Sequence, residues 1–354
     1  MALTSRGKAL VAGGSVVAVL GGGMAALALS GNAPSSVTKL VDKALPGDQT
    51  PPDPCPLTGE TLADDREPPD RPMLAVKVEN TPDAQPLAGL QGADIVYEEV
   101  VEGGITRFVA LFHCDEANRI GPVRSIRTTD PEILAPFSEH PLLAFSGGSK
   151  GVRNVVEDAG MTTMDESSAL KAFTRDEGRV APHNLFTSTK PLWAKGTSLA
   201  KNEPMPASPF LFGDDVPTPS KKAKSATVVF SGLATAEWRW AKGQWVRYLD
   251  GTPMLLESGG PITADNVVIQ VVKTTESDFQ DVAGYPSPEV NLLGKGKAWV
   301  LRDGKLVVGR WERSDVGDFT RFVSKSGEEI ELKPGTTFVE LAPVGMFDAD
   351  ISFG

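Results

Sequence analysis

The 354-residue chain is 40 % hydrophobic and 23 % charged, long enough and apolar enough for two globular units with packed cores. Its formal net charge of −11 and pI near 4.9 argue against nucleic acid as a partner, because affinity for phosphate backbones comes from Lys and Arg. Any anion site must then be a local exception to the overall charge.

Arg6 and Lys8 precede an uncharged run from Ala9 to Ser30. As a helix that run spans roughly 30 Å, one hydrocarbon thickness. The basic flank favours N-inside, C-outside insertion, so residues 1–30 read as a membrane anchor or as a signal peptide. Ala26-Leu27-Ala28 supplies a small-residue cleavage site for the second alternative. Residues 31–71, with PGDQTPPDPCP at their centre, lack apolar periodicity and read as a disordered linker. Cys55 and Cys114 are the two cysteines; an outside location permits a disulfide, and spacing alone leaves two free thiols open.

An α/β domain is expected over 72–215. Met73–Val78 reads as a strand, and ADIVYEEVVEGGITRFVALFH as a hairpin turning at Gly103-Gly104. With a two-residue turn, Val100 faces Arg107 and Glu98 faces Val109, which puts Glu98, Glu102 and Arg107 on one side. Glu99 then falls among Ile95, Tyr97, Phe108 and Ala110 on a core face. A carboxylate there must be paired, protonated or functional, unless the register is off by one. Asp130-Pro131 reads as a helix start, and Pro141–Phe145 as a strand running through Ser146-Gly147-Gly148-Ser149 into a helix from Val152 to Ala159.

After about Pro206 short strands alternate with Asp-Gly and Ser-Gly turns, so a β-rich antiparallel domain is expected over 225–345. Trp238, Trp240, Trp245 and Trp311 fall among those strands, where hairpin packing competes with stacking on a sugar ring.

Gly147-Gly148-Ser149-Lys150-Gly151 matches G-x-S-x-G, with Asp158 or Asp165 and then His183 downstream in hydrolase order. The alternative is a Gly-rich turn capping the next helix. The three histidines lie far apart, and no zinc, Walker or dinucleotide signature occurs, so no metal and no cofactor are expected. Arg107, Arg124, Arg127, Arg153, Arg175 and Arg179 all lie in the first domain, either paired internally with Glu98, Glu99 and Glu102 or lining an anion pocket. His183-Asn184 is a polar pair between apolar residues, suited to orienting a ligand or capping a turn.

RPMLAVKVEN, GADIVYEEVVEGGITRFVALF, IGPVRSIR, FSGGS and APHNLFTS, followed by DNVVIQVV and ELKPGTTFVELAP, resemble the YerB-like bacterial lipoprotein family over about residues 70–342. The resemblance implies an envelope location and two domains, and brings no known catalytic residues. No cysteine closely follows the apolar segment, so here a protein anchor replaces the lipid that relatives usually carry.

The expectation is thus an extracytoplasmic envelope protein, joined to the membrane by its N-terminal segment or secreted. It binds a cell-wall component or partner protein near Glu99, Glu102, Arg107, Arg124, Arg127, Ser149, His183 and Asn184. A hydrolase using Glu99 or Ser149, and an assembly scaffold, are the alternatives.

Overall fold

The structure is a computed structural model that describes residues 52–200, 202–249, 251–281 and 284–354. The expected anchor or signal peptide, and the linker as far as residue 51, lie outside the described residues.

The first half runs β1 (Leu74–Glu79), β2 (Ile95–Val100), β3 (Thr106–Phe112), α1 (Thr129–Leu134), β4 (Leu142–Ala144), α2 (Lys150–Asp158), β5 (Thr162–Met164), β6 (Phe173–Arg175), β7 (Leu185–Thr187) and α3 (Thr189–Leu199). The second half continues with β8 (Ser220–Lys222), β9 (Ser225–Ser231), β10 (Ala234–Ala241), β11 (Gln244–Leu249), β12 (Thr252–Pro253), β13 (Thr263–Ala264) and β14 (Asn266–Gln280). It ends with β15 (Pro286–Asn291), β16 (Gly294–Arg302), β17 (Lys305–Arg313), β18 (Arg321–Ser324), β19 (Thr337–Gly345) and β20 (Asp350–Phe353). The α/β character of the first half and the β-rich character of the second are as expected from the sequence.

The halves share a sheet. Its strand order is β18-β17-β16-β14-β19-β2-β3-β1-β4-β5, with β15 paired to β14 and β8 to β17. The seam is the parallel pair of β19 and β2, and β14 also runs parallel to β19, so the second half is not wholly antiparallel. Parallel strands are covered on both faces, which fits the buried, largely apolar run of β19. Strands β12-β11-β10-β9-β20 form a second sheet, with β13 paired to β11.

Period-two alternation sorts the side chains of the large sheet. Val76, Val96, Phe108 and Phe338 face the small sheet, where they meet Val228, Phe230 and Trp238 in one apolar core. Ala75, Ile95, Val109 and Val339 face α1 and α2, packing on Ile133, Val152 and Val156. Trp238, Trp245 and Trp311 are buried, and the Trp240 and Trp245 rings lie 5.4 Å apart, so hairpin and core packing accounts for them.

The β2–β3 register differs by one from that read in the sequence: Glu99 faces Arg107, and Glu98 faces Phe108. The loop holds three residues, Glu102–Gly104, not two. Gly103 and Gly104 take φ of 72° and 81°, and the Val101 amide donates to the Ile105 carbonyl across the loop. One added residue exchanges the faces, so Glu99, not Glu98, lies on the side of Arg107. Glu98 instead points between the sheets beside Glu340 of β19, where Arg247 bonds both and the Trp238 indole donates to Glu340. Burial and then Glu98 push the Glu340 carboxyl well above its usual range. Arg247 is thus the guanidinium that bonds both carboxyls at this buried site.

Residues 53–71, expected to be linker, belong to the folded unit. Cys55 and Leu57 are fully buried, and Arg71 donates to the His113 carbonyl while its guanidinium lies 3.4 Å from the centre of the Trp193 ring. Low apolar periodicity hid this segment, because a disulfide between Cys55 and Cys114, rather than a strand or helix, fastens it.

Beside that disulfide sit two buried groups of opposite titration. Burial pushes the Asp94 carboxyl up to about 7, against the His113 and Cys114 amides that bond it. Burial pulls His113 down to about 4, against its bond to the Arg71 carbonyl. From about pH 4 to 7 folded Asp94 keeps a proton the unfolded chain has released, so its contribution to stability falls as pH rises. From about pH 4 to 6.5 the unfolded chain binds a proton that folded His113 does not, so stability rises with pH. The two slopes oppose. Urea titrations across this window are expected to show the rising limb alone in Asp94→Asn and the falling limb alone in His113→Gln; parallel curves for the three proteins would refute the assignment.

Candidate anion-binding cleft

On the helix-covered face of the large sheet, alternation places Lys77 and Glu79 of β1, Glu99 of β2 and Arg107 of β3 together. The segment before α1 lies along β1: the Glu79 amide donates to Pro122 and the Arg124 amide to Lys77. That carries Arg124 and Arg127 over the same charged end. The turn leading to α2 is fixed to this segment by Ser146 N–H to Arg124 and Ile126 N–H to Gly147. A further wall comes from the β14–β15 hairpin. Phe279 packs so tightly on Gly151 that a Cβ there would lie 2.3 Å from the ring.

Glu102, Arg107, Arg124, Ser125, Arg127, Ser149, Gln280, Asp281 and Ser287 thereby line a cleft of about 570 Å³. Arg107 is only 5 % exposed and, among the described residues, makes one hydrogen bond, from Nη1 to the Thr106 carbonyl. Its ion-pair partner Glu79 stands 3.7 Å away. Burial, against Glu79 and with Arg124 and Arg127 nearby, lowers the Arg107 guanidinium to about 10, so it stays charged at neutral pH. The Nε of Arg124 lies 3.3 Å from Glu79 Oε1 without the alignment of a hydrogen bond and has no other acceptor among the described residues. Arg127 clasps Glu102 through Nε and Nη2, and Ser287 donates to the other Glu102 oxygen at 2.5 Å.

The sequence-selected residues divide. Glu102, Arg107, Arg124, Arg127 and Ser149 meet at the cleft. His183 reaches it indirectly, its Nδ1 2.9 Å from Glu79 Oε2. Glu99 lies beneath, wholly buried against Lys77, which also bonds Asp130 at 2.6 Å. Asn184 does not line it; its Oδ1 accepts from Arg175 at 2.9 Å, and Arg175 continues to Glu166. Ser149 is the N-cap of α2, its Oγ accepting from the Val152 amide at 3.4 Å. Among the described residues no histidine bonds Ser149, so the G-x-S-x-G pattern serves as a helix-capping turn.

Asp130 is not the cap of α1, which begins at Thr129; its side chain instead takes Lys77 and the Arg127 amide. Lys77 and Glu79 were missed, although a lysine inside the apolar run LAVKV signals a buried charge needing a partner. Gln280, Asp281 and Ser287 left no such signal, since the hairpin that brings them is distant in sequence. Cys55, His113 and Cys114 are grouped tightly enough for a metal, but both sulfurs are joined in the disulfide.

Comparison with known proteins agrees with this architecture. Residues 57–202 match the N-terminal domain, and 226–339 the C-terminal domain, of the family described as protein of unknown function (DUF3048). The fold and these matches define a two-part protein, an α/β portion with a β-rich companion. The chain belongs to the YerB-like family. A Bacillus subtilis (strain 168) protein named lipoprotein YerB is 27 % identical over 302 residues, which cover 81 % of this chain and 86 % of that one. The crystal structure of YerB protein from Bacillus subtilis superposes with a TM-score of 0.71 at 26 % identity, covering 84 % of this chain and 99 % of that one.

Proposed function

We propose that this is an extracytoplasmic envelope protein, held at the membrane by its N-terminal segment, whose cleft binds an anionic cell-wall component. The location rests on the uncharged run after Arg6 and Lys8 and on the lipoprotein name carried by the relative. The binding reading rests on one observation above all. A chain of net charge −11 gathers Arg107, Arg124 and Arg127 at one cleft, with Arg107 buried and, among the described residues, making one hydrogen bond beside its 3.7 Å ion pair with Glu79. A buried guanidinium N–H without an acceptor among the described residues, such as Arg124 Nε, is costly unless something accepts from it.

A hydrogen bond to a charged group contributes about 1.5–3 kcal/mol, so losing one guanidinium is expected to weaken binding by about tenfold or more. The check is equilibrium binding of purified anionic wall fragments to the wild type, Arg124→Ala and Arg127→Ala, with circular dichroism to confirm folding. Equal affinities for the three proteins would show that the arginines serve only the internal network.

A further inference from the structure

We infer that the group held in the cleft is a phosphate ester, an inference that rests on the cleft being a ligand site at all. The cleft offers donors on several sides. Arg107 comes from β3 and Arg124 from the segment before α1; Arg127 stands beside them with its Nε, Nη1 and Nη2 engaged by Glu102 and the Ser125 and Ile126 carbonyls, and the first turn of α2 adds its N-terminus. In that turn Ser149 and Val152 line the cleft and the Val152 amide is taken by Ser149; the Lys150 and Gly151 amides sit at the same helix end, outside the cleft lining. The α2 dipole adds positive potential there. Because Ser149 Oγ acts as acceptor toward Val152, its own proton remains available, as does that of Ser125.

The acceptors are mostly engaged. Glu102 spends one oxygen on Arg127 and the other on Ser287, Glu79 is shared among Arg107, Arg124 and His183, and Asp281 accepts from the Tyr285 amide. A neutral sugar needs acceptors for its hydroxyls and finds few here. A carboxylate is planar and can be satisfied by one guanidinium fork. Guanidiniums from two segments, a helix N-terminus and hydroxyls suit a tetrahedral group whose oxygens point in several directions.

Such a group outside a membrane has two sources, a polyol-phosphate polymer and a phospholipid headgroup. Calorimetric titration of the detergent-solubilised full chain separates them with three soluble probes: a glycerol phosphate oligomer, dihexanoyl phosphatidylglycerol, and a wall peptide whose only anions are carboxylates. The expected result is binding of at least one phosphate probe, weakened about tenfold in Arg124→Gln and in Arg127→Gln, with no heat from the peptide. Arg124 is the more exposed of the two and gives a variant able to fold if Arg127→Gln does not. Binding of the oligomer alone assigns the polymer, and of the lipid alone the headgroup. Tight binding of the peptide without either phosphate probe overturns the phosphate assignment and leaves the cleft reading intact. No binding by any probe, or binding indifferent to both substitutions, overturns the two together.

Discussion

A Lys77→Met variant is expected to lose about 3–5 kcal/mol of stability, the cost of breaking a buried ion pair from one side. Lys77, Glu99 and Asp130 are all fully buried, and Lys77 is the cation that contacts both carboxylates. Burial already pushes the Glu99 carboxyl up; Lys77 pulls it back and Asp130 raises it again. Without the ammonium, two carboxylates would share an apolar site, and at least one would have to take a proton. Adding Glu99→Gln to Lys77→Met is therefore expected to restore part of the loss, since Gln carries no charge to desolvate. Asp130 also accepts from the Arg127 amide at 2.7 Å, so the damage reaches the cleft wall. Urea midpoints of the single and double variants decide the matter. A single variant within about 1 kcal/mol of wild type would mean that the charges are not buried as described.

Replacing both Cys55 and Cys114 with serine is expected to cost about 4 kcal/mol, from the loop entropy released when residues 59 apart in sequence are no longer joined. The bridge ties the segment ahead of β1 to the end of β3, next to Asp94 and His113. The segment has other ties, among them Arg71 to the His113 carbonyl and Gly335 N–H to the Thr58 carbonyl. The serine variant should thus keep its secondary structure while its denaturation midpoint falls. Thiol titration of unfolded protein purified without reductant should find no free thiol; two free thiols per chain, with unchanged stability on adding reductant, would contradict the bridge.

Local patterns in the chain revealed which segments form strands. The apolar runs of β1, β2–β3 and β14, the Gly-rich turn before α2 and the alternation through β9–β11 are all legible, because period and turn chemistry are local properties. Five of the eight selected site residues meet at the cleft, since Arg107, Arg124 and Arg127 lie close together in an acidic chain. The face of Glu99 was not legible. It depended on whether the hairpin loop held two residues or three, and Gly-Gly is compatible with either. Asn184 was misplaced for a similar reason: polarity marks a residue as needing a partner, but not which partner.

The sequence by itself determined the strand-rich composition, the two halves, the cysteine pair available for bridging and the local run of arginines between positions 107 and 127. Only the tertiary structure decided that the halves join edge to edge through β19 and β2, and that the β14–β15 hairpin closes a wall of the cleft. It also decided that Lys77, not an arginine, neutralises Glu99. The physical reason is the range of the forces concerned: strand period is set by neighbours along the chain, whereas the partner of a buried charge is chosen by whatever distant segment packing brings within a few ångströms.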